Sequence, residues 1–397
     1  MKSFVSRTLL GLVVVAVVAL GASGATPRRA SAQVAQPSTS QASQPQAAQN
    51  RPPVFAYFYI WFDPTSWQRA KRDYPLLGRY SSDQRLVMEQ QVRWAKQAGI
   101  TGLLVSWKHT EKLDRRLAML ADVAAKQGVS LGIVYQGLDF ARQPLPTARV
   151  ATDLDFFSKN FASRPAFKMY DKPLVIWTGT WAFSATDIAR VTTPRRSKLL
   201  ILASERNTKG YDRVANLVDG DAYYWSSVDP KKYPNYDGKL AALGTDVHQH
   251  RGLWIAPAAA GFDGRLIGAP RVVPRRNGDT LRVEWNAAMQ SSPDAIGIIS
   301  WNEFSENSYI EPSEKYGRTA LAALARLTGA PGPSGEIDSN NAAGSSMTTQ
   351  GVIAIVFLGA VVVLSAVVLR RRSRRAPRAP GNPPGGQPSR REPVNVR

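Results

Sequence analysis

The stretch TGLLVSWKHTEKLDRRLAMLADVAAKQGVSLGIVY, residues 101–135, carries the pattern from which the fold follows. Its two ends, 101–107 and 130–135, are short and almost wholly apolar, as is typical of strands that are covered on both faces. Between them apolar residues recur at helical spacing over 113–126, and Gly128 marks the end of the helix. The stretch therefore predicts a strand–helix–strand unit with parallel strands.

The same alternation of apolar runs and amphipathic stretches continues across residues 54–330. The apolar runs are 54–60, 101–107, 130–135, 173–178, 199–204, 221–226, 253–258 and 295–301. Helices are expected over 82–98, 113–126 and 316–327, and from near Asp153, Asp187, Asp212 and Leu281. Eight strands alternating with helices predict an α/β fold, a (β/α)8 TIM barrel. An open doubly wound sheet is the alternative, but the Gly-rich turn that usually follows its first strand is missing here.

Both ends of the chain carry an apolar segment outside this domain. Residues 1–32 have a basic start and an apolar run of signal-peptide length, and a small-residue site precedes Gln33. An uncleaved signal anchor is the alternative. Residues 351–369 contain no charge and, as a helix, span about 28 Å, close to the thickness of a bilayer core. The alternative, a buried core helix, is disfavoured because the segment has no polar face.

The segments between these elements complete the predicted organisation. Residues 33–53 and 331–350 are rich in Gln, Ser, Pro and Gly and predict flexible linkers. The Arg-rich tail, residues 370–397, predicts a cytoplasmic end by the positive-inside rule. The sequence thus predicts a single-pass cell-membrane protein that holds the domain 54–330 on the extracytoplasmic side.

The composition excludes several classes of protein. The chain has 397 residues and no cysteine, which excludes a disulfide scaffold, a zinc ribbon and a thiol nucleophile. Its formal charge of +21 is concentrated in the tails, so we expect no nucleic-acid partner. His248 and His250 have a spacing found in metal sites, but no acidic partner is near in sequence. We therefore expect no metal and no cofactor.

Aromatic residues gather where the predicted strands end. Tyr59 and Trp61 lie at the end of the first predicted strand, Trp107 ends the second, and Tyr224 lies near the end of the sixth. Loops after the strands of such a barrel form its functional face, and flat rings stack on sugars. These residues predict a carbohydrate cleft, with packing inside the barrel as the alternative.

The strongest local signal is SWNEFSENSYIEPSEKYG, residues 300–317. If the chain turns helically after the eighth strand, Glu303 and Glu306 share a face. Retaining glycosidases use two carboxyl groups about 5–5.5 Å apart, and such close acids differ in pKa. The spacing alone also fits an ordinary solvated helix face.

The surrounding residues resemble glycoside hydrolase family 99, the group of endo-acting α-mannosidases and α-mannanases. The family pattern is Trp/Phe-Asn-Glu-Trp-His-Glu-Gly-Thr-x-Ile-Glu-Pro, and this chain has WNEFSENSYIEP at 301–312. Further similar segments are 56–62, 98–109, 257–265, 277–289 and 292–304. The resemblance implies a polysaccharide or oligosaccharide substrate, cleaved at an α-linked and mannose-containing site with retention.

The resemblance also implies roles for individual residues. Glu303 would deprotonate the sugar 2-hydroxyl, which attacks C1 to give a 1,2-anhydro sugar. Glu306 would protonate the leaving oxygen and then activate water. Tyr224 would face the reacting sugar, and Arg265 and Asn302 would lie at the cleft.

The motif also departs from the family pattern. Phe304-Ser305 and Asn307-Ser308 replace Trp-His and Gly-Thr, at positions expected to line the cleft. A non-catalytic glycan-binding or polysaccharide-assembly protein on the same barrel is therefore the alternative. A transferase ranks last because Asp153 and Asp155, an Asp-x-Asp pair of the kind that nucleotide-sugar sites use, lie at a predicted helix start. The motifs do not specify the sugar, the linkage, endo or exo action, or the oligomeric state.

Overall fold

The computed structural model describes residues 51–332, which form a barrel of parallel strands surrounded by helices. The eight barrel strands are β1 (Val54–Tyr59), β2 (Gly102–Trp107), β3 (Ser130–Gln136), β4 (Leu174–Thr178), β5 (Leu200–Leu202), β6 (Gly220–Ala222), β7 (Leu253–Ala259) and β10 (Ala295–Ile299). Their order in the sheet is β5-β4-β3-β2-β1-β10-β7-β6, and all neighbours run parallel. A short antiparallel hairpin, β8 (Phe262–Asp263) and β9 (Val272–Val273), follows β7.

Hydrogen bonds between β5 and β6 join the two ends of the sheet. The Ala203 amide donates to the Gly220 carbonyl at 2.9 Å, and the Ala222 amide donates to the Ala203 carbonyl at 2.9 Å. A parallel bridge pairs Ala203 with Asp221. The predicted (β/α)8 barrel is therefore confirmed.

Helices follow the strands and cover the outside of the barrel. They are α1 (Arg85–Gln97), α2 (Glu111–Gln127), α3 (Thr147–Asn160), α4 (Ala185–Thr192), α5 (Thr208–Asp212), α6 (Tyr236–Gln249), α7 (Asp279–Gln290) and α8 (Thr319–Thr328). Helix α2 shows how local sequence sets the boundaries. The Thr110 side chain accepts from the Leu113 amide, and Gly128 ends the helix with a left-handed φ of 67°.

Side chains alternate along each strand between two apolar layers. On β1, Phe55 and Tyr57 point into the barrel, while Ala56 and Phe58 pack against the helices. Because the period of a strand is two, the same alternation decides which residue reaches the interior where each strand ends.

Two elements were not predicted, and two predicted helix starts were wrong, one of them Asp153, which lies in the middle of α3. Helix α6 escaped prediction because its pattern is weak: Gly238 and Gly244 interrupt the apolar side. A Cβ at Gly244 would lie 2.5 Å from the Ser291 carbonyl oxygen, so close packing requires the glycine. The hairpin β8–β9 was not predicted because each of its strands has only two residues, too few to show a pattern. Asp212, expected near the start of a helix, is the last residue of α5.

The predicted segments 1–32, 351–369 and 370–397 lie outside the described residues, as do the predicted linkers 33–53 and 331–350 except for residues 51–53 and 331–332. Within residues 51–332, no helix is both long enough and apolar enough to span a bilayer.

Candidate active site

Glu303 and Glu306 lie in a turn just after β10, at the carboxyl end of the barrel. The turn is not the helix that the sequence suggested; it closes through the Ser308 amide, which donates to the Glu303 carbonyl at 3.3 Å. The Ser305 amide donates to the Glu303 carboxylate at 2.8 Å. The Glu306 carbonyl accepts from the Asp263 amide of β8 at 2.8 Å. The turn is thus fixed both by its own hydrogen bonds and by a hydrogen bond from β8.

The two carboxyl groups influence each other electrostatically. Burial raises the pKa of Glu303, which is 5% exposed, and repulsion from Glu306 raises it further. Burial also raises the pKa of Glu306. Lys71 opposes the shift at Glu303, and Arg142 opposes it at Glu306. Because two like charges at such a site do not ionise together readily, the pair holds one proton over a wide pH range.

A pair of tyrosines lies beside the two glutamates. The hydroxyl of Tyr59, at the end of β1, is hydrogen-bonded to the hydroxyl of Tyr224, two residues after β6. Burial is the main reason that the pKa of each tyrosine is raised, and both glutamates add to the shift. Both tyrosines therefore stay protonated and able to donate a hydrogen bond near neutral pH. The structure brings these four predicted residues together.

Asn302 lies beneath the site and binds the backbone of Tyr59, contrary to the expectation that it contacts substrate. It is fully buried. Its amide oxygen accepts from the Tyr59 backbone at 2.8 Å, and its amide nitrogen donates to the Tyr59 carbonyl at 2.9 Å and to the Tyr80 hydroxyl at 3.3 Å. These bonds use both N–H donors and one of the two acceptor positions of the amide on β1 and the loop that follows.

A buried network that the sequence did not reveal continues from Asn302. Tyr80 donates to the carboxylate of Glu311 at 2.9 Å, and Gln91 of α1 donates to its other oxygen at 3.0 Å. Burial raises the pKa of Glu311 to about 8. Glu311 belongs to the motif at 301–312, and membership of that motif was the one sequence feature that pointed to it. Its partners come from distant loops that spacing cannot connect.

Trp61 and Arg265 lie at the rim of the site. The indole of Trp61 is 39% exposed and packs against Tyr59 with ring centroids 4.4 Å apart. Both Arg265 and Arg72 bind the carboxylate of Asp263, at 2.8 and 2.7 Å. The structure thus connects Arg265 to the turn through Asp263, whose backbone contacts Glu306.

Trp107 lies in the core, contrary to the expectation that it contacts substrate. Its ring is 1% exposed, packs against Phe157 and Phe161, and donates to Asp114 at 3.0 Å. The alternation along β2 explains the error, because Ser106 points inward and its neighbour Trp107 must point toward the helices.

Comparison with known sequences and structures identifies the relatives of this site. The profile of glycosyl hydrolase family 99 matches residues 66–321, nearly the whole barrel. The chain belongs to glycosyl hydrolase family 99. It is accordingly a glycoside hydrolase, as the motif at 301–312 predicted.

Solved structures share the fold of this family 99 chain at low sequence identity. A family 99 endo-α-mannosidase from Bacteroides thetaiotaomicron, in complex with bis-tris propane, has a TM-score of 0.61 and 19% identity. The match covers 69% of this chain and 94% of that one. A protein described as glycoside hydrolase-like has a TM-score of 0.54 and 14% identity, over 70% of this chain and 94% of that one.

The departures from the family pattern lie mostly behind the cleft, which corrects the expectation that they line it. Phe304 is 1% exposed and stacks on Tyr309 with centroids 4.0 Å apart. Ser308 is fully buried, and its hydroxyl lies 3.2 Å from that of Ser300. Asn307, where the family has glycine, has a left-handed φ of 53°, which asparagine tolerates better than most residues. The substitutions thus preserve the turn.

One group of possible metal ligands lies at the opposite end of the family 99 barrel. Asp212, Asp246 and His250 place ligand atoms within 4.8 Å of one another. The interpretation that His248 and His250 have no acidic partner near in sequence was wrong, since Asp246 precedes His250 by one helical turn. A cavity of about 540 Å³ opens at the same end, against Arg196 and His250. We assign no chemistry there, because the chemistry of such barrels takes place at the carboxyl ends of the strands.

Proposed function

We propose that the protein hydrolyses an α-linked, mannose-containing glycan with retention, using Glu303 and Glu306 as its acid–base pair. One observation carries the proposal: two carboxyl groups with a raised pKa lie at the carboxyl end of the barrel beside the Tyr59–Tyr224 pair. A pair that holds a single proton offers one acid and one base at the same pH. The mannose specificity rests on the family resemblance and on the endo-α-mannosidase with the same fold.

The proposed roles follow the family pattern. Glu303 accepts the proton of the 2-hydroxyl as this oxygen attacks C1, and Glu306 donates a proton to the leaving oxygen. Water, deprotonated by Glu306, then attacks C1 and opens the 1,2-anhydro sugar, and Glu303 returns its proton to the oxygen at C2. Burial raises the pKa of both carboxyl groups, which favours a shared proton in the free protein. The proposal requires that this proton lies on Glu306 when substrate is bound.

A substrate with a better leaving group separates the two roles. Fluoride needs little protonation to depart, so an α-mannobiosyl fluoride should restore the release of fluoride in the first turnover of Glu306→Gln, while the missing base slows the later attack of water. It should restore little in Glu303→Gln, because the 2-hydroxyl still needs a base. Rescue of Glu303→Gln alone would reverse the assignment.

The activity itself is tested by release of reducing ends from a panel of α-mannans and α-glucans by the purified full-length chain. Turnover of an α-mannan that falls at least a thousandfold in Glu306→Gln supports the proposal. Glu314→Gln, at an exposed glutamate of the next loop, is the matched control. Saturable glycan binding without turnover would instead favour the non-catalytic alternative.

We further propose that residues 1–32 direct the barrel across the cell membrane and that residues 351–369 anchor it there, with the tail 370–397 in the cytoplasm. The support is the uncharged run followed by arginines. The full chain should sediment with membranes after alkaline extraction, whereas a chain ending at residue 350 should not. External protease should remove the barrel from intact cells. Equal extraction of the two chains would exclude the anchor.

A further inference from the structure

The side chain of Asn302 connects the segments that carry Glu303 and Tyr59. Asn302 precedes Glu303 in the chain, and its amide binds both the N–H and the carbonyl of Tyr59, at 2.8 and 2.9 Å. The second N–H of the same amide donates to the Tyr80 hydroxyl at 3.3 Å. The position of this one amide therefore decides where the backbone of Tyr59 lies relative to Glu303.

Tyr80 is itself fixed by packing and by hydrogen bonds. Its ring lies edge-on against Trp67 with centroids 5.2 Å apart, and the Trp67 indole donates to the Tyr80 carbonyl at 2.6 Å. Its hydroxyl donates to the Glu311 carboxylate at 2.9 Å. Because the only proton of the hydroxyl is used on Glu311, the oxygen can only accept from Asn302. The amide of Asn302 must therefore keep its nitrogen toward Tyr80.

Glu311 closes these hydrogen bonds into a ring. Its other carboxylate oxygen accepts from Gln91 of α1 at 3.0 Å. Its backbone N–H donates at 2.9 Å to the carbonyl of Trp301, the residue before Asn302. The bonds thus run from the motif after β10 through Tyr80 and Glu311 back to the same motif. Each of these side chains is at most 3% exposed, so water has little access to replace a lost bond.

We propose that Tyr80 and Glu311 are positioning residues, which act through Asn302 to hold the Tyr59 hydroxyl beside the catalytic glutamates. The inference rests on the proposed function and adds two residues to it. Within residues 51–332, neither side chain hydrogen-bonds to Glu303 or to the other residues of the site except Asn302. Their effect on the reaction therefore passes through Asn302, and small displacements of groups at the reacting atoms lower the rate.

A purely structural role makes a different prediction, and the fold offers a matched hydrogen bond to test it. Tyr135, fully buried on the helix side of β3, donates to the buried carboxylate of Asp153 on α3 at 3.0 Å. If Tyr80 serves only the fold, Tyr80→Phe and Tyr135→Phe should have the same effects. If Tyr80 positions Tyr59, only Tyr80→Phe should lower kcat.

The first test compares Tyr80→Phe with Tyr135→Phe in the full-length chain acting on an α-mannan, well below the unfolding temperature. Both variants should lower Tm by about 2–4 °C, because each loses one buried hydrogen bond. Tyr80→Phe should also lower kcat roughly tenfold and change KM by less than about threefold. Tyr135→Phe should change neither constant. Equal kcat in the two variants would overturn the inference.

The carboxylate is tested by an amide and by a hydrocarbon in its place. Glu311→Gln keeps an oxygen that can accept from Tyr80, and Gln91 can turn its amide to pair with the new N–H. Glu311→Leu removes both acceptors. We expect Glu311→Gln to keep kcat within about twofold and Glu311→Leu to lower it roughly tenfold. Equal kcat in these two variants would remove Glu311 from the proposal.

A double variant shows whether Tyr80 acts through Tyr59. Once Tyr59→Phe has removed the hydroxyl, its position no longer affects the reaction, so the further change Tyr80→Phe should lower kcat by less than about twofold. Losses that multiply in the double variant would mean that Tyr80 acts independently of Tyr59, and would overturn the inference.

A measurement without turnover distinguishes failure of this inference from failure of the proposed function. With 3-fluorotyrosine in place of Tyr59, fluorine NMR reports the surroundings of that ring whether or not a glycan is cleaved. Absence of hydrolysis by the wild-type chain rejects the proposed function. A fluorine resonance that shifts or broadens in Tyr80→Phe, and stays unchanged in Tyr135→Phe, still supports the positioning of Tyr59. An identical resonance in wild type and Tyr80→Phe overturns the inference.

Discussion

The bond between Tyr59 and Tyr224 joins the first and sixth strands directly beside the two glutamates. The hydrogen bond is partly buried, so removal of one hydroxyl takes away the partner of the other, which typically costs about 1 kcal/mol. Replacing one of these tyrosines with phenylalanine therefore removes the hydrogen bond while it changes the shape of the side chain very little.

We predict that Tyr224→Phe lowers kcat/KM by roughly 10- to 100-fold, because a hydrogen bond near the reacting atoms is lost. Steady-state kinetics, together with thermal unfolding to show that the fold is kept, make the measurement. Tyr233→Phe is the control, since that ring is 44% exposed. Unchanged kcat/KM in Tyr224→Phe would remove this tyrosine from the proposed chemistry.

The sequence predicted which residues lie close together where the family motif and the alternation of side chains along a strand agree. Glu303, Glu306, Tyr59 and Tyr224 come together as expected. The prediction that Trp107 lines the cleft was wrong, because the sequence at the end of a strand does not show whether the last side chain points into the barrel or toward the helices. Tyr80 gave no signal, because nothing in the sequence around it points to the buried glutamate that it binds.

At the scale of elements, the hairpin β8–β9 connects β7 to the turn that carries the glutamates. Asp263 receives Arg265 and Arg72 on its carboxylate, and its amide donates to Glu306. The hydrogen bonds from Arg265 are the main cause that lowers the pKa of Asp263 to about 2. The carboxylate thus stays charged and holds both arginines near neutral pH.

We predict that Asp263→Asn lowers kcat/KM by roughly tenfold, because the turn is held less firmly and small displacements of catalytic groups reduce rate. The expected loss in the free energy of unfolding is only about 1 kcal/mol, since both arginines are partly exposed. Asp279→Asn, at an exposed ion pair on α7, should leave kcat/KM unchanged. A matching loss in both variants would mean that the hairpin does not position the glutamates.

All eight barrel strands were predicted from apolar runs, because strands buried on both faces carry the clearest pattern. The hairpin and α6 were not. Two-residue strands are too short to show a period, and α6 has glycine at position 244, where close packing beside Trp254 leaves no room for a side chain.

At the scale of the whole molecule, several buried acids have a raised pKa. Burial raises the pKa of Glu311 to about 8, above the ordinary value of 4.5. The folded protein therefore keeps a proton that the unfolded chain releases. Stability from this group is complete below about pH 4.5 and is lost as the pH rises toward 8.

We predict that the free energy of unfolding falls by a few kcal/mol between about pH 5 and pH 8, and that Glu311→Gln removes part of this fall. Urea denaturation of both proteins at the two pH values measures it. Glu314→Gln, an exposed substitution, should follow the wild type. An identical pH dependence in wild type and Glu311→Gln would show that Glu311 is not the group that holds the proton.

The central claim, retaining hydrolysis by Glu303 and Glu306, is tested most directly by the anomeric form of the first product. Proton NMR of the full-length chain acting on an α-mannan should show the α-anomer first, with the β-anomer appearing only by later mutarotation. Glu303→Gln and Glu306→Gln should each produce neither anomer at a measurable rate. A β-anomer formed first, or hydrolysis that survives in both variants, would contradict the account.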